Sequence, residues 1–252
     1  MVQDKFVGDI GDFGKYGLLR ALTSPPQPDG DRDLSLGMVW YLVPDNQNSG
    51  AGKYITYLDN PGLFRPCDPR LFDALKEIVD GKRRRVSSIR DSQIFPPRTV
   101  FYEARLAFQD ISIANRLAHR KEWVRTAVAA AAGCDLVFVD PDNGLEVRTP
   151  PHHKHGLKYV FFDEVSPYIN RDQTLIIYQH MNHRKPVNEQ IKERVTEITR
   201  RLQAPVLCTL LFRRWNLRAF FVIPNTRDKE LLSRRVDGFL NGAWDKHFQL
   251  IE

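Results

Sequence analysis

The chain has 252 residues, of which 42% are hydrophobic and 27% are charged. This length and apolar content suffice for a substantial buried core, so they exclude disorder as the dominant state. Thirty-seven Lys and Arg against 31 Asp and Glu give a formal net charge of +6. That excess permits an anionic partner such as nucleic acid, and it is far from the extreme charge of a histone-like protein.

The three cysteines are Cys67, Cys134 and Cys208. They are widely separated and show no Cys-x-x-Cys spacing, so neither a disulfide framework nor a cysteine zinc site is predicted. No apolar leader opens the chain, and no run approaches the roughly 18 to 20 apolar residues that a membrane span requires. We therefore expect one cytoplasmic domain over residues 1–252, with an N-terminal segment (1–30) and an α/β core (31–252), and no membrane contact.

Strands and helices are predicted in alternation. After a short N-terminal helix and a Pro-rich connector at Ser24–Pro28, strands are predicted at Leu36–Val43, Val86–Ile89, Thr99–Tyr102, Leu136–Val139, Thr174–Tyr178, Val206–Phe212 and Arg218–Ile223. Helices are predicted at Asp68–Asp80, Asn115–Ala132, about Val187–Leu202, and Asp228–Leu240. This alternation indicates an α/β fold whose mostly parallel sheet is covered by helices on both faces.

The last two predicted strands have no helix between them. One of them should therefore run antiparallel to the sheet, at or near its edge. An ending of this kind is typical of the Rossmann-like methyltransferase fold rather than of a dinucleotide dehydrogenase.

Two loops that follow buried strands are candidates for a site, because open α/β sheets bind ligands at the carboxyl ends of their strands. The first loop, Asp45–Gly52, ends in Gly50-Ala51-Gly52, which either lets the backbone approach a cofactor closely or forms a plain turn. The second is Asp140-Pro141-Asp142-Asn143-Gly144-Leu145-Glu146. Its three carboxylates can orient an amine, act as a base or hold a metal, and they exceed what an Asx turn needs.

A third signal lies at Phe6–Leu19, where four glycines, two acidic residues and Lys15 are predicted in front of a helix. Such a segment offers backbone N–H groups to an anion. Tyr16 follows Lys15, so the phosphate-loop pattern Gly-x4-Gly-Lys-Ser/Thr is not met and an NTPase is disfavoured.

Histidines and basic clusters leave two interpretations open. His152, His153 and His155 could join the acidic loop in a metal site, with His180 and His183 further along the chain, although a solvated loop is favoured. The basic clusters are either solvated faces or contacts to RNA or DNA; they are Lys82–Arg85, Arg200-Arg201 and Arg213-Arg214, the last beside Trp215.

These segments together resemble the RlmJ-type family, whose members methylate an adenine N6 of 23S ribosomal RNA with S-adenosylmethionine. The family's Gly-x3-Asp-x2-Lys-x3-Leu opening is matched by Gly8, Asp12, Lys15 and Leu19. Its Gly-Ala-Gly-basic-Tyr loop is matched by Gly50-Ala51-Gly52-Lys53-Tyr54. The resemblance implies that Lys15 contacts the cofactor region, and it assigns cofactor binding to Gly8, Asp12, Lys15, Asp45, Gly50, Ala51 and Gly52.

The family's catalytic loop is Asp-Pro-Pro-Tyr, and this chain departs from it. Asp140-Pro141 match, while Asp142-Asn143 replace the second proline and the aromatic residue. In amino-methyltransferases the Asp and a proline carbonyl accept hydrogen bonds from the target amine, and the aromatic ring stacks on the flipped base. Asn143 cannot stack in this way, so Tyr168 or Tyr178 would have to supply the ring.

The expected function is thus S-adenosylmethionine-dependent methylation of nucleic acid, RNA rather than DNA, without a metal, with catalytic residues Asp140, Pro141, Asp142 and Asn143. A rival hypothesis is a magnesium-dependent nuclease or phosphoesterase that uses Asp140, Asp142 and Glu146, with Asp163 and Glu164 as further ligands. A non-catalytic nucleic-acid-binding module is disfavoured, because carboxylates at strand ends repel phosphates. The acceptor nucleotide and the oligomeric state stay open.

Overall fold

The computed structural model describes residues 3–23, 31–44 and 54–251. Its strands are β1 (Leu36–Trp40), β2 (Val100–Tyr102), β3 (Leu136–Asp140), β4 (Gly144–Leu145), β5 (Tyr159–Val160), β6 (Thr174–His180), β7 (Cys208–Phe212), β8 (Arg218–Ile223) and β9 (Phe248–Ile251). Its helices are α1 (Ile10–Thr23), α2 (Pro61–Phe64), α3 (Pro69–Asp80), α4 (Val86–Asp91), α5 (Arg116–Ala130), α6 (Phe162–Ile169), α7 (Val187–Leu202) and α8 (Lys229–Leu240). The predicted connector Ser24–Pro28 lies outside the described residues.

Within the described residues, seven strands form the central sheet in the order β2-β1-β3-β6-β8-β7-β9, and β4 pairs with β5 separately. The strands β2, β1, β3 and β6 are parallel, whereas β8 runs antiparallel to both of its neighbours, β6 and β7. The edge strand β9 is antiparallel to β7. The expectation of a mostly parallel α/β sheet with an antiparallel strand near the C-terminus is confirmed.

Helices cover both faces of the sheet because the strand side chains alternate between two apolar clusters. Met38 and Phe138 belong to the cluster that contains α1, α3 and α8. Val39 and Val139, the next residues of the same two strands, belong to the cluster that contains α5, α6 and α7. This alternation follows from the period of two in a β-strand, and it explains why β1 and β3 are apolar throughout.

Helix α1 is buried over its whole length, and most of the glycines expected to precede a helix lie inside it. A Cβ atom added to Gly14 would stand 2.6 Å from the Phe212 ring, and one added to Gly17 would clash with Trp244. These glycines, like Gly11, therefore allow α1 to pack tightly against its neighbours. The expectation that they form an anion-binding loop is wrong, since only Gly8 precedes the helix.

One local prediction is wrong, and several elements were not predicted. Val86–Ile89, predicted as a strand, lies in helix α4, where the buried Val86 and Ile89 are three residues apart and share one helical face. Helices α2 and α6 and strands β4, β5 and β9 were not predicted. No helix within the described ranges is long and apolar enough to cross a membrane.

Candidate functional site

The carboxyl ends of β1 and β3 mark the point where the strand order reverses. The chain leaves β1 for β2 on one side and then returns to β3 on the other side. In sheets of this kind, ligands bind in the crevice at this reversal. A cavity of about 490 Å³ opens beside the end of β3, and its volume lies in the range of small-molecule sites.

The N-terminal helix brings a lysine to the end of β3. Lys15 Nζ lies 2.6 Å from Asp140 Oδ2 and 2.7 Å from Asp12 Oδ1. Asp12 and Lys15 are three residues apart, which places them on one face of α1. The second oxygen of Asp12 accepts the Gly8 N–H at 3.0 Å. Lys15 is therefore held between a carboxylate of its own helix and the strand-end carboxylate.

The cluster contains two carboxylates and one ammonium group, all buried. Burial raises the pKa of Asp140, and Lys15 only partly offsets this effect. Burial lowers the pKa of Lys15, but Asp12 and Asp140 outweigh it and raise that pKa well above its ordinary value. The lysine is thus held in its charged form, while burial makes ionisation of Asp140 costly. Such costs concentrate at functional sites.

A second group of buried polar residues adjoins this cluster. Asp9 caps α1 by accepting the Asp12 N–H at 3.0 Å, and burial together with the Asp12 charge raises the pKa of Asp9. The Arg218 guanidinium lies over Gly11, where an added Cβ would stand 2.8 Å from Cζ. Burial lowers the pKa of Arg218, but Tyr178 and Asp9 outweigh burial and raise that pKa above its ordinary value. Burial also raises the pKa of Tyr178, so its hydroxyl is neutral near pH 7.

The loop after β3 is fixed by a glutamine of β6. Gln179 Nε2 donates to the Asn143 carbonyl at 3.0 Å, and Gln179 Oε1 accepts the Leu145 N–H at 3.0 Å. Gly144 has φ +115°, and a Cβ there would clash with the Gln179 amide. Only glycine suits this position, so the loop presents Asp142 and Asn143 to the cavity in a defined geometry.

The structure brings most of the predicted catalytic and N-terminal residues together. The cavity is lined by Asp12, Lys15, Pro141, Asp142 and Asn143. Asp140 contacts Lys15, and Gly8, with φ +82°, holds Asp12. The predicted cofactor residues Asp45, Gly50, Ala51 and Gly52 lie outside the described residues. Of the two tyrosines considered for stacking, Tyr178 lines the cavity, whereas Tyr168 is buried on the opposite face of the sheet.

The carboxylates of the nuclease hypothesis are not gathered into a metal site. Glu146 accepts the Phe162 N–H at 2.8 Å and pairs with Arg201 at 2.5 Å. Glu164 is enclosed by Arg120, which also donates to the Gly156 and Tyr159 carbonyls. Within residues 3–23, 31–44 and 54–251, no three His, Cys, Asp or Glu side chains are placed to hold a metal ion. The histidines 152, 153 and 155 are exposed.

Asn216 and Arg218 also line the cavity and were not singled out for the site from the sequence, whereas Asp9 and Tyr54 lie in two of the segments that were. Arg218 lies about 200 residues from α1 along the chain, and its only sequence signal is a charge at the start of an apolar strand. Neither the family models nor the curated proteins give a match to this chain. The function therefore has to be inferred from the site.

Proposed function

We propose that the protein is an S-adenosylmethionine-dependent methyltransferase that acts on an amino group of nucleic acid, with RNA as the preferred acceptor. The observation that carries the proposal is the 2.6 Å contact between Lys15 and Asp140, which are 125 residues apart. Two of the segments that resemble the RlmJ-type family thus meet in one cavity of ligand size. The position of β8 between β6 and β7 adds support, since it agrees with the strand ending typical of Rossmann-like methyltransferases.

The cavity's polar groups suit the proposed cofactor. S-adenosylmethionine has a cationic amino group, a sulfonium and a carboxylate. The cavity offers the carboxylates of Asp9 and Asp12 for the cations, and the Arg218 guanidinium for the carboxylate. Asp9 is buried and has a raised pKa, which a bound cation would relieve. When bound, the cofactor supplies an electrophilic methyl group.

Asp140 is assigned to the acceptor amine. Its carboxylate accepts a hydrogen bond from the amine and takes the proton lost as the N–C bond forms and the donor's S–C bond breaks. The raised pKa of Asp140 suits a proton acceptor, while Lys15 favours the ionised carboxylate and orients it before the reaction. Tyr178 lines the cavity and supplies an aromatic ring that Asn143 lacks. Most of the rate enhancement comes from orienting the two reactants.

A calorimetric titration with S-adenosylmethionine and S-adenosylhomocysteine, in the presence of a chelator, tests this proposal. We expect saturable binding by the wild type and an affinity about tenfold weaker in Lys15→Met, because Asp12, a proposed partner of the cofactor's cations, loses the ion pair that positions it. Lys76→Met is the matched control, because Lys76 is exposed and pairs with Asp80 at 3.1 Å on α3. Unchanged affinity in Lys15→Met, or no binding by the wild type, would contradict the proposal.

A further inference from the structure

An exposed tryptophan stands in the hairpin between β7 and β8. Trp215 is 56% exposed, whereas Trp40, Trp123 and Trp244 are buried. Its φ of +56° lies in the left-handed region, which bulky side chains rarely adopt. Backbone strain of this kind is concentrated at functional sites, where the position of a side chain matters for binding or catalysis.

A tyrosine next to Trp215 completes an aromatic pair at the cavity. The rings of Tyr54 and Trp215 are 5.7 Å apart, and Tyr54 is 37% exposed. Tyr54 and Asn216 both line the cavity, so the pair stands at its rim. The Tyr54 carbonyl accepts the Ile10 N–H at 2.9 Å, which ties this residue to the first turn of α1.

The hairpin that carries Trp215 is held in place from two sides. Arg214 Nε donates to His247 Nδ1 at 2.7 Å, and its Nη2 donates to the Lys246 carbonyl at 2.9 Å. From the cavity side, Arg218 Nη1 donates to the Asn216 carbonyl at 2.9 Å. Trp215 is therefore preorganised, which lowers the entropic cost of binding a partner.

Two basic clusters neighbour residues of the cavity and its rim along the chain. Arg213 and Arg214 directly precede Trp215, and Lys82–Arg85 directly precedes Val86, which lines the cavity. Arg84 Nε also donates to the carbonyl of Val7, another lining residue, at 2.7 Å. Proteins bind single-stranded nucleic acid with exposed aromatic rings, which stack on the bases, and with nearby cations, which contact the phosphates.

We infer that the aromatic pair Tyr54–Trp215 stacks on an unpaired base of a single-stranded nucleic acid, while the adjoining arginines contact its phosphates. The inference deepens the proposed function and rests on it for the role of the cavity. A paired base in a duplex does not expose its face to an aromatic ring, so the surface selects single strands. The stacked nucleotide stands at the rim and directs its neighbour toward Asp140.

Fluorescence anisotropy with a labelled single-stranded RNA of mixed sequence tests the inference. Trp215→Asn removes the ring, and Asn tolerates the left-handed backbone, so the fold is kept. We expect affinity to fall about 5- to 100-fold in this variant and much less in Trp215→Phe. Ile113→Ala is the matched control, because Ile113 is 70% exposed and does not line the cavity. RNA should also quench the tryptophan emission of the wild type, and this quenching should be absent in Trp215→Asn.

Unchanged RNA affinity in Trp215→Asn would overturn the inference, as would a matching duplex that competes as well as the single strand. Titrating Trp215→Asn with S-adenosylmethionine separates the two proposals. Wild-type-like cofactor binding with unaltered RNA binding would refute the stacking role alone. RNA binding that depends on Trp215, in a protein that binds no cofactor, would refute the methyltransferase proposal alone.

Discussion

The two ends of strand β3 carry aspartates in opposite electrostatic situations. At the amino end, Asp135 accepts the Ser35 N–H at 2.8 Å and the Ser35 hydroxyl at 2.7 Å, and Arg227 and Arg32 lie 2.6 and 3.1 Å away. Burial raises the pKa of Asp135, but these donors together hold it well below its ordinary value. At the carboxyl end, burial raises the pKa of Asp140 despite Lys15.

The opposite pKa shifts distinguish Asp135, whose carboxylate stabilises the fold, from Asp140, whose carboxylate belongs to the candidate site. Asp135 joins the segment before β1 to β3 and gains stability from being ionised. Asp140 shares Lys15 with Asp12, and its ionisation is costly in a place where the sheet opens to a cavity. Retaining an unfavourable buried charge at a strand reversal is expected of a functional group.

The largest expected effect comes from neutralising Asp140 at the carboxyl end of β3. Asp140→Asn keeps the shape of the side chain but cannot take a proton, so methyl transfer should fall at least about 100-fold. The variant should stay folded at pH 7, because Lys15 keeps its ion pair with Asp12. Activity assays and urea unfolding test these two expectations. A folded, fully active variant would show that Asp140 plays no part in the reaction.

A smaller effect is expected when Asp135, at the amino end of β3, is replaced. Asp135→Ala removes hydrogen bonds to Ser35 and partly exposed ion pairs, which should lower the unfolding free energy by about 1–2 kcal/mol. Its affinity for S-adenosylmethionine should equal that of the wild type. Urea unfolding and calorimetry check both expectations, and a selective loss of cofactor affinity would erase the distinction between the two ends.

The smallest expected effect is on how the unfolding free energy of the wild type and of the two variants changes with pH. Asp135 has a lowered folded pKa, so its contribution is present above an unfolded value near 4 and is lost as the pH falls toward the folded pKa. Asp140 has a raised folded pKa, so the wild type loses stability relative to Asp140→Asn as the pH rises from about 4 through that pKa. Urea unfolding of the wild type and both variants between about pH 3 and pH 7 tests these opposite slopes. Parallel curves would refute the contrast.

Elements with strong local signals were predicted well. Helix α7 has the predicted bounds, because its amphipathic period is regular and Pro186 precedes it. Strand β3 extends only one residue beyond the prediction, to Asp140, since its apolar run suits a strand buried on both faces. The position of the acidic loop at a strand end followed directly from this run.

Features that depend on distant contacts were missed. Gly11, Gly14 and Gly17 suggested a loop, yet tight packing against Arg218, Phe212 and Trp244 places them in a helix, so tertiary contacts override helix propensity. Val86 and Ile89 suggested a strand because they are β-branched, but their burial is satisfied on one face of α4. The ion pair between Lys15 and Asp140 joins two segments that no local pattern connects.

The location of the cofactor tests the central claim most directly. Ultraviolet cross-linking of S-adenosylmethionine labelled in its methyl group, followed by mapping of the labelled peptides, reports which residues the cofactor touches. We expect the label in peptides that contain residues 9–16 or 140–144, and its suppression by excess S-adenosylhomocysteine. Label confined to peptides elsewhere, such as those that contain residues 182–197, would contradict the assignment of this cavity.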